Sequence, residues 1–363
     1  LASSAASDVY KRQTAYNGYS SSLVIPTKID GYTVTAIGSS AFADNTRLVM
    51  VVIPDSVTEI GSYAFSGCAN LSKVNLSKML ETLNYGAFQN CTSLVEIEIP
   101  KSLKYANYDT SIFNGIISAP FMGSGIKKVK FETGIKEVVE CLFLGCNELE
   151  QIEIPNTVTR IGNHSFRMCP NLEKINIPSS VTSVGEYAFS SCTSLKSIII
   201  PDSVTTIECH AFDNCSLLSE VTLSNNLQSL YYGAFQNCTS LCTIEIPKSL
   251  EYANFDTDLY NNIISAPFMG SGLEQIKFET GTKTVVDSLF LGCNKLKKVK
   301  IPETVTSIGN HAFSMCKSLS EISISDSVTS IGSDAFSSCT ALVKINIPCL
   351  LYTSPSPRDR SVS

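Results

Sequence analysis

Apolar residues recur along this chain in a unit of 23 residues. In each unit, positions 1, 4 and 6 are apolar, as at Leu149, Ile152 and Ile154, and positions 4 and 6 favour β-branched side chains. This alternation predicts a short strand whose positions 4 and 6 point inward. A proline at position 7 ends the strand because it has no N–H for a ladder hydrogen bond. The following V-T-x-I segment predicts a second short strand.

The second half of the unit reads G-x-x-A-F-x-x-C. Its glycine turns the chain, and we interpret the A-F segment as a single helical turn with both side chains inside. A fixed period in this range predicts a solenoid in which each rung is stabilised by stacking on its neighbours. Thirteen rungs are marked by one phenylalanine each: Phe42, Phe65, Phe88, Phe121, Phe143, Phe166, Phe189, Phe212, Phe235, Phe268, Phe290, Phe313 and Phe336.

A longer repeat of 147 residues overlies the short one. The segment NYGAFQNCTSLVEIEIPKSLKYAN (84–107) recurs as YYGAFQNCTSLCTIEIPKSLEYAN (231–254). Each block contains one lengthened rung, near 94–125 and 241–272, with the insertion near 104–117 and 251–264. Insertions in solenoids form loops on one face, which is often the binding face.

Both insertions combine aromatic residues with Asn and Asp. Rings supply contact area at little entropy cost, so this composition suits recognition of a protein or a carbohydrate. The alternative is that the rings cover the edge of the enlarged rung, and the sequence leaves both interpretations open. The candidate ligand-binding residues are Tyr105, Asn107, Tyr108, Asp109 and Phe113 in the first block, and Tyr252, Asn254, Phe255, Asp256 and Tyr260 in the second.

The repeats resemble a known family. IPDSVTEIGSYAFSGCANL (53–71) and IPDSVTTIECHAFDNCSLL (200–218) are similar to BspA-like, or treponemal-type, leucine-rich repeats, and the likeness covers 23–348. The resemblance implies an α/β repeat solenoid: a right-handed leucine-rich-repeat array with a concave parallel β-sheet, and short strands and helical turns on the convex side. It also implies an extracellular or cell-surface microbial protein that adheres to host proteins or to other cells.

Both ends of the chain resemble translated sequencing-adapter DNA. DVYKRQ (8–13) and CLLYTS (349–354) can be encoded by the two strands of one short DNA sequence. We therefore interpret residues 1–13 and 349–363 as adapter or library scars. The remaining residues, 14–348, are predicted to form one solenoid domain.

Charge and hydropathy exclude some partners. The net charge is −6, and a nucleic-acid or anionic membrane partner requires a basic face. No apolar run approaches the roughly 20 residues that span a bilayer. We therefore expect a monomer that binds a protein or glycan ligand.

The chain has fourteen cysteines, of which ten occupy one template position, three residues after the phenylalanine. No CxxC pair occurs, so a zinc site is disfavoured. Side chains in register point the same way, which the disulfide dihedral disfavours. We expect buried residues with free thiols, and we predict no metal and no cofactor.

Catalytic motifs are missing from the sequence. The three histidines, His164, His210 and His311, occupy one template slot, which we expect to be exposed. Outward carboxylates on the strands lie beside lysines, so they have no reason for the raised pKa that a general acid needs. We predict no catalytic residue and a non-catalytic adhesin fragment. The alternatives are a spacer that displays a missing domain, or an enzyme that acts on polysaccharides and has its catalytic part elsewhere.

Overall fold

The structure is a computed structural model. It describes residues 20–109, 118–258 and 263–346, and the backbone of two strands at 2–3 and 10–15. The chain divides into two compact units, Leu1–Leu195 and Lys196–Ser363. Each unit is a parallel β-solenoid, and the described residues contain no helix.

Two strands from each rung build the solenoid, because each template unit contains two short extended segments. The strands of the first unit are β1 Ala2–Ser3, β2 Tyr10–Ala15, β3 Ser22–Val24, β4 Lys28–Ile29, β5 Tyr32–Ile37, β6 Met50–Val52, β7 Glu59–Ile60, β8 Lys73–Asn75, β9 Thr82–Leu83, β10 Glu96–Ile99, β11 Tyr105–Ala106, β12 Lys128–Phe131, β13 Glu137–Val138, β14 Gln151–Glu153, β15 Arg160–Ile161, β16 Lys174–Asn176 and β17 Ser183–Val184.

The second unit repeats this arrangement. Its strands are β18 Ser197–Ile199, β19 Thr206–Ile207, β20 Glu220–Thr222, β21 Ser229–Leu230, β22 Thr243–Ile246, β23 Tyr252–Ala253, β24 Asp256–Asp258, β25 Ile263–Ser265, β26 Gln275–Phe278, β27 Thr284–Val285, β28 Lys298–Lys300, β29 Ser307–Ile308, β30 Glu321–Ser323, β31 Ser330–Ile331 and β32 Lys344–Asn346.

The first strand of each rung stacks in register into what we call column 1, and the V-T-x-I strand stacks into column 2. In column 1, β3, β6 and β8 pair in parallel, as do β10 with β12 and β14 with β16. In the second unit β22 pairs with β26, β28 with β30, and β30 with β32. Column 2 contains β5, β7, β9 and β11, then β13, β15 and β17. In the second unit it contains β19, β21 and β23, then β27, β29 and β31.

The core of each unit is a ladder of phenylalanine rings. Phe65 is fully buried and stacks on Phe42 at 4.8 Å and on Phe88 at 5.1 Å between ring centroids. Phe212 and Phe235 stack at 5.1 Å in the second unit. These distances lie in the range of favourable offset stacking, because the rung spacing of a parallel sheet brings equivalent rings into contact.

The expected helical turn around A-F is wrong, although its alanine and phenylalanine are buried as predicted. Tyr63 and Gly67, two residues before and after Phe65, have left-handed φ values of 56° and 70°. The backbone N–H of Phe65 donates to Ala87 of the next rung at 2.8 Å, whereas that of Cys68 donates back to Phe65 at 3.2 Å. An α-helix requires consecutive right-handed residues and i to i−4 bonds, so inter-rung bonding replaces the helix.

The ten template cysteines are buried with free thiols, as expected. Thiols of this set donate to the carbonyl of a phenylalanine in an earlier rung. Cys68 Sγ lies 3.1 Å from Phe42 O, and Cys169 Sγ lies 3.1 Å from Phe143 O. Burial raises the pKa of Cys169 to about 12. The stacked cysteine thiols therefore provide hydrogen-bond donors for backbone carbonyls inside the core.

The histidine slot is not exposed, contrary to the expectation from sequence. His164 and His311 are half-buried, and His210 is buried. All three residues have left-handed φ values of 53–54°. The turn that this conformation makes places each ring against an aromatic neighbour, so the slot belongs to the packed side of the rung. His164 stacks on Tyr187 at 5.1 Å, and His210 meets Tyr232 edge-on at 5.4 Å.

Candidate binding groove at the insertion

Each insertion begins directly after a column 2 strand with an antiparallel pairing, which we call the hairpin. In the second block β24 pairs with β25, with Asp256 opposite Ser265. In the first block Asp109 and Ser118 form the corresponding bridge, with N···O distances of 2.8 and 3.0 Å. The two bridges are one block repeat apart, so both hairpins begin at equivalent positions.

The hairpins coincide with a break in column 2. Strand β11 ends one sheet and β13 begins the next, although β10 and β12 of the same two rungs pair directly. Intact rungs are linked by bonds such as Asn84 N to Ile60 O at 3.0 Å. Within the described residues, no equivalent bond reaches the carbonyls of Lys104 and Ala106. The same break separates β23 from β27.

A groove of about 590 Å³ lies at the break in the first unit. Five consecutive residues, 104–108, form one bank. The side chain of Ala106 is 6% exposed, so Ala106 reaches the groove mainly through its backbone. The complete lining is Asn84, Tyr85, Lys104, Tyr105, Ala106, Asn107, Tyr108, Glu137, Glu140 and Arg160. A tyrosine-rich groove with an unpaired strand edge is suited to binding a polymer chain.

The far end of the groove is held by an aromatic cluster. The Tyr108 ring lies 5.6 Å from that of His164, and the guanidinium of Arg167 lies 4.8 Å from the Tyr187 ring centroid. Burial lowers the pKa of His164 to about 4, and the positive charge of Arg167 acts in the same direction. Burial also raises the pKa of Tyr108, with smaller contributions from neighbours that include Glu140. The imidazole is therefore neutral at pH 7 and packs as an aromatic ring.

Ion pairs line the groove in the first block. Lys104 pairs with Glu81 at 2.8 Å, and Arg160 pairs with Glu137 on the adjacent strand at 2.5 Å. The exposed Glu140 makes no hydrogen bond or ion pair within the described residues. One carboxylate is therefore available to a ligand.

The second block keeps the rings and changes the charges, with Glu251 in the place of Lys104. Phe255 lies 5.2 Å from His311, which repeats the contact of Tyr108 with His164. Thr284 and Ser307 replace the Glu137–Arg160 pair and share a hydroxyl hydrogen bond of 3.0 Å. Asp287, the counterpart of Glu140, accepts from the backbone N and from Nδ2 of Asn310 at 2.8 and 3.2 Å. Its carboxylate is already engaged.

The rings proposed from sequence separate into two groups. Tyr105 and Tyr252 are 60% and 45% exposed. Tyr108 and Phe255 are each 37% exposed and pack on a histidine of a later rung. Tyr108 and Phe255 thus cover the edge of the enlarged rung, and a role of Tyr105 and Tyr252 in recognition stays a prediction. Phe113 and Tyr260 lie outside the described residues.

The polar candidates have structural partners. Asn107 donates to Asn84 Oδ1 at 2.7 Å, and Asn254 accepts from the backbone N of Tyr232 at 2.9 Å. Asp109 belongs to the hairpin bridge, and Asp256 accepts from the N of Thr257 at 2.9 Å. These residues hold the start of the hairpin in place.

Sequence reasoning missed the opposite bank and floor of the groove: Asn84, Tyr85, Glu137, Glu140 and Arg160. These residues belong to neighbouring rungs. Stepping by the period from Tyr105 would have reached Thr82 beside it, close to Tyr85. The break that opens the groove has no sequence signal, because the template continues through β13.

The outward face of column 1 is a polar ladder. Lys128, Gln151 and Lys174 line an open depression of about 610 Å³ with Glu153. Lys130 pairs with Glu96 and lowers the pKa of that carboxyl. Lys298 likewise lowers the pKa of Glu321. A general acid requires the opposite shift.

The remaining chemistry is limited to what these surfaces offer. Within the described ranges, no group of three or more His, Cys, Asp or Glu side chains could hold a metal ion. The same residues include no helix long and apolar enough to cross a membrane.

The chain belongs to the BspA-type leucine-rich repeat family. The pattern described as "BspA type Leucine rich repeat region" matches residues 15–116, 114–241, 191–261 and 261–356, with six copies. The residues quoted for the resemblance lie inside these matches. No curated protein matches the chain in sequence.

Two solved bacterial structures share the fold, and a third has sequence similarity to the chain. A leucine-rich repeat protein from Bacteroides ovatus is 24% identical, with a TM-score of 0.52 and coverage of 97% of this chain and 94% of that one. The pneumococcal vaccine antigen PcpA is 19% identical, with a TM-score of 0.53 and coverage of 96% and 86%. A leucine-rich cell surface protein from Faecalibacterium prausnitzii is 27% identical, with a TM-score of 0.45 and coverage of 99% and 95%.

Proposed function

We propose that this chain is a non-catalytic binding protein of the bacterial surface or exterior, and that it adheres to a protein or glycan through the two insertion sites. One observation carries the proposal: both blocks open column 2 at the same place and present an exposed tyrosine beside the opening.

Location and partner follow from the same proposal. The family and the shared fold with a pneumococcal vaccine antigen support a surface or extracellular site, as an argument by analogy. Two similar sites in one chain favour ligands with repeated epitopes, since the second contact is then intramolecular. The column 1 face, which the family resemblance predicts to be concave, is the alternative binding surface.

The experiment is capture of the full chain on an array of matrix proteins and glycans. The test variant carries Tyr105→Ser and Tyr252→Ser, because these rings are exposed and their loss leaves the core intact. Tyr32→Ser is the matched control, since Tyr32 is 46% exposed and lies away from both insertions. We expect capture by the parent and the control, and loss of capture by the double variant at an unchanged melting temperature.

Other outcomes decide between the alternatives. Equal capture by all three proteins would move the site to column 1, where Lys128→Gln and Lys174→Gln are the next variants. No capture by any of them would favour a spacer that displays another domain. Turnover of a glycan on the array would replace the binding proposal with an enzymatic one.

A further inference from the structure

We propose that the groove of the first block takes an extended peptide segment bearing Lys or Arg, which adds as a strand to the open edge at the break in column 2. This inference rests on the proposed binding function and names the ligand class of one of its two sites.

The unpaired backbone groups on the two sides of the break are complementary to the N–H and C=O groups of a peptide main chain. The carbonyls of Lys104 and Ala106 face the break, and so do the N–H groups of Glu137 and Val139, which intact rungs would use for the next ladder bonds. Within the described residues these four groups make no backbone hydrogen bond. An added strand satisfies such groups, whereas a sugar has no repeating pattern of donors and acceptors at strand spacing.

The side chains of the groove match a cation. Glu137 and Lys104 are neutralised by Arg160 and Glu81, and Glu140 is the groove carboxylate without such a partner among the described residues. The rings of Tyr85, Tyr105 and Tyr108 line the same groove. An ammonium or guanidinium group gains from a carboxylate and from aromatic faces together.

The second block is an internal control for this charge argument. Its break also exposes strand edges, but Asp287 is bonded to Asn310 and the adjacent ion pair is replaced by Thr284 and Ser307. A peptide can add to either edge by its main chain. The carboxylate at the Glu140 position is unengaged only in the first block, so a cation preference set by this position belongs to that block, whereas the second block has Glu251 in place of Lys104.

The probe is a short fluorescein-labelled peptide of alternating Thr and Val with one central Lys, titrated with the full chain in fluorescence anisotropy. Two comparison peptides carry Gln in place of Lys, or N-methylated amides. We expect the Gln peptide to bind about three- to fivefold more weakly, which is the upper range for an exposed ion pair. N-methylation is expected to weaken binding by about tenfold or more, because it removes strand hydrogen bonds.

Variants locate the effect. Glu140→Gln is expected to abolish the Lys-over-Gln preference, whereas the matched control Glu98→Gln, an exposed carboxylate of column 1, keeps it. Tyr105→Ser is expected to weaken the Lys peptide more than Tyr252→Ser does. Equal binding of the N-methylated peptide would overturn strand addition, and a preference that survives Glu140→Gln would overturn the charge assignment.

The array experiment separates this inference from the general proposal. Capture that depends on Tyr105 and Tyr252, combined with no binding of the Lys peptide, would overturn the peptide assignment and retain the binding function. Capture of a glycan that the Lys peptide does not compete away would also overturn the peptide assignment and retain the binding function. Binding of the Lys peptide that is insensitive to Tyr105 and Glu140 would also overturn the peptide assignment, whereas array capture that survives the Tyr105→Ser, Tyr252→Ser double variant would contradict the insertion sites themselves.

Discussion

The ring of Tyr108 lies 5.6 Å from the imidazole of His164, and the ring of Phe255 lies 5.2 Å from that of His311. In each block a residue at the start of the hairpin thus contacts a histidine two rungs further along the solenoid. The contact fixes where the hairpin leaves the stack, and the open edge of column 2 lies beside it.

The first prediction concerns pH. His164 has a pKa of about 4 in the folded chain against 6.5 ordinarily, so the unfolded chain binds the extra proton between these values. Its contribution to stability is fully present above about pH 6.5 and is lost as pH falls towards 4. We expect His164→Asn to reduce the fall in free energy of unfolding over this window by about 1–2 kcal/mol, after discounting for partial exposure.

Urea unfolding of the full chain at pH 7 and pH 4.5, in the parent and in His164→Asn, measures this difference in the free energy of unfolding. His311→Asn is the matched substitution and is expected to retain the pH dependence contributed by His164. If the free energy of unfolding of His164→Asn falls with pH as steeply as that of the parent, the imidazole is already solvated in the folded chain.

The second prediction concerns the thiols. Burial raises the pKa of Cys169 to about 12, whereas Cys242 is exposed. We expect rapid labelling of Cys242 by iodoacetamide at pH 8 and protection of Cys169 until the chain unfolds, since only the thiolate reacts. Peptide mass spectrometry after timed labelling reads out both sites. Equal labelling rates at Cys169 and Cys242 would mean that the rungs around Cys169 open locally.

The third prediction concerns the left-handed position two residues after each phenylalanine. Gly145 occupies it with φ 71°, and an added Cβ would lie 2.8 Å from Met122 Cγ. Gly145→Ala is expected to lower the free energy of unfolding by about 1–2 kcal/mol. Ser191 holds the same slot with φ 62°, so Ser191→Gly should be neutral or stabilising by up to about 1 kcal/mol. Thermal melts of both variants test the sign.

The fourth prediction uses the divergence of the two blocks. Glu137→Thr combined with Arg160→Ser rebuilds in the first block the hydroxyl pair of Thr284 and Ser307. Because the Glu137–Arg160 pair is exposed, we expect the free energy of unfolding to change by less than about 1 kcal/mol. A double-mutant cycle in urea gives the coupling. A larger loss would show that the ion pair holds the broken column together.

Repetition explains how much of this fold could be predicted from the chain alone. A correct interpretation of one 23-residue repeat predicts all the other repeats. The strands, the buried phenylalanines and the buried cysteines therefore followed from the period. The helical turn did not follow, because A-F-x-x-C is compatible with a helix locally. Inter-rung hydrogen bonds excluded the helix. Alternate backbone N–H groups such as that of Phe65 donate to the next rung, so the conformation depends on a neighbour that the local sequence does not include.

The candidate site shows the same division. The sequence identified the duplicated insertions and their aromatic residues, whereas the structure distinguishes the exposed Tyr105 and Tyr252 from the packed Tyr108 and Phe255. The packing of Tyr108 on His164 depends on which rungs face each other beyond the hairpin, and so does the placement of Tyr105 and Glu140 in one groove. Local sequence determined the rung because its period places like side chains in register. Only tertiary structure decided where the stack opens, because strand pairing across a lengthened rung is a contact between distant segments.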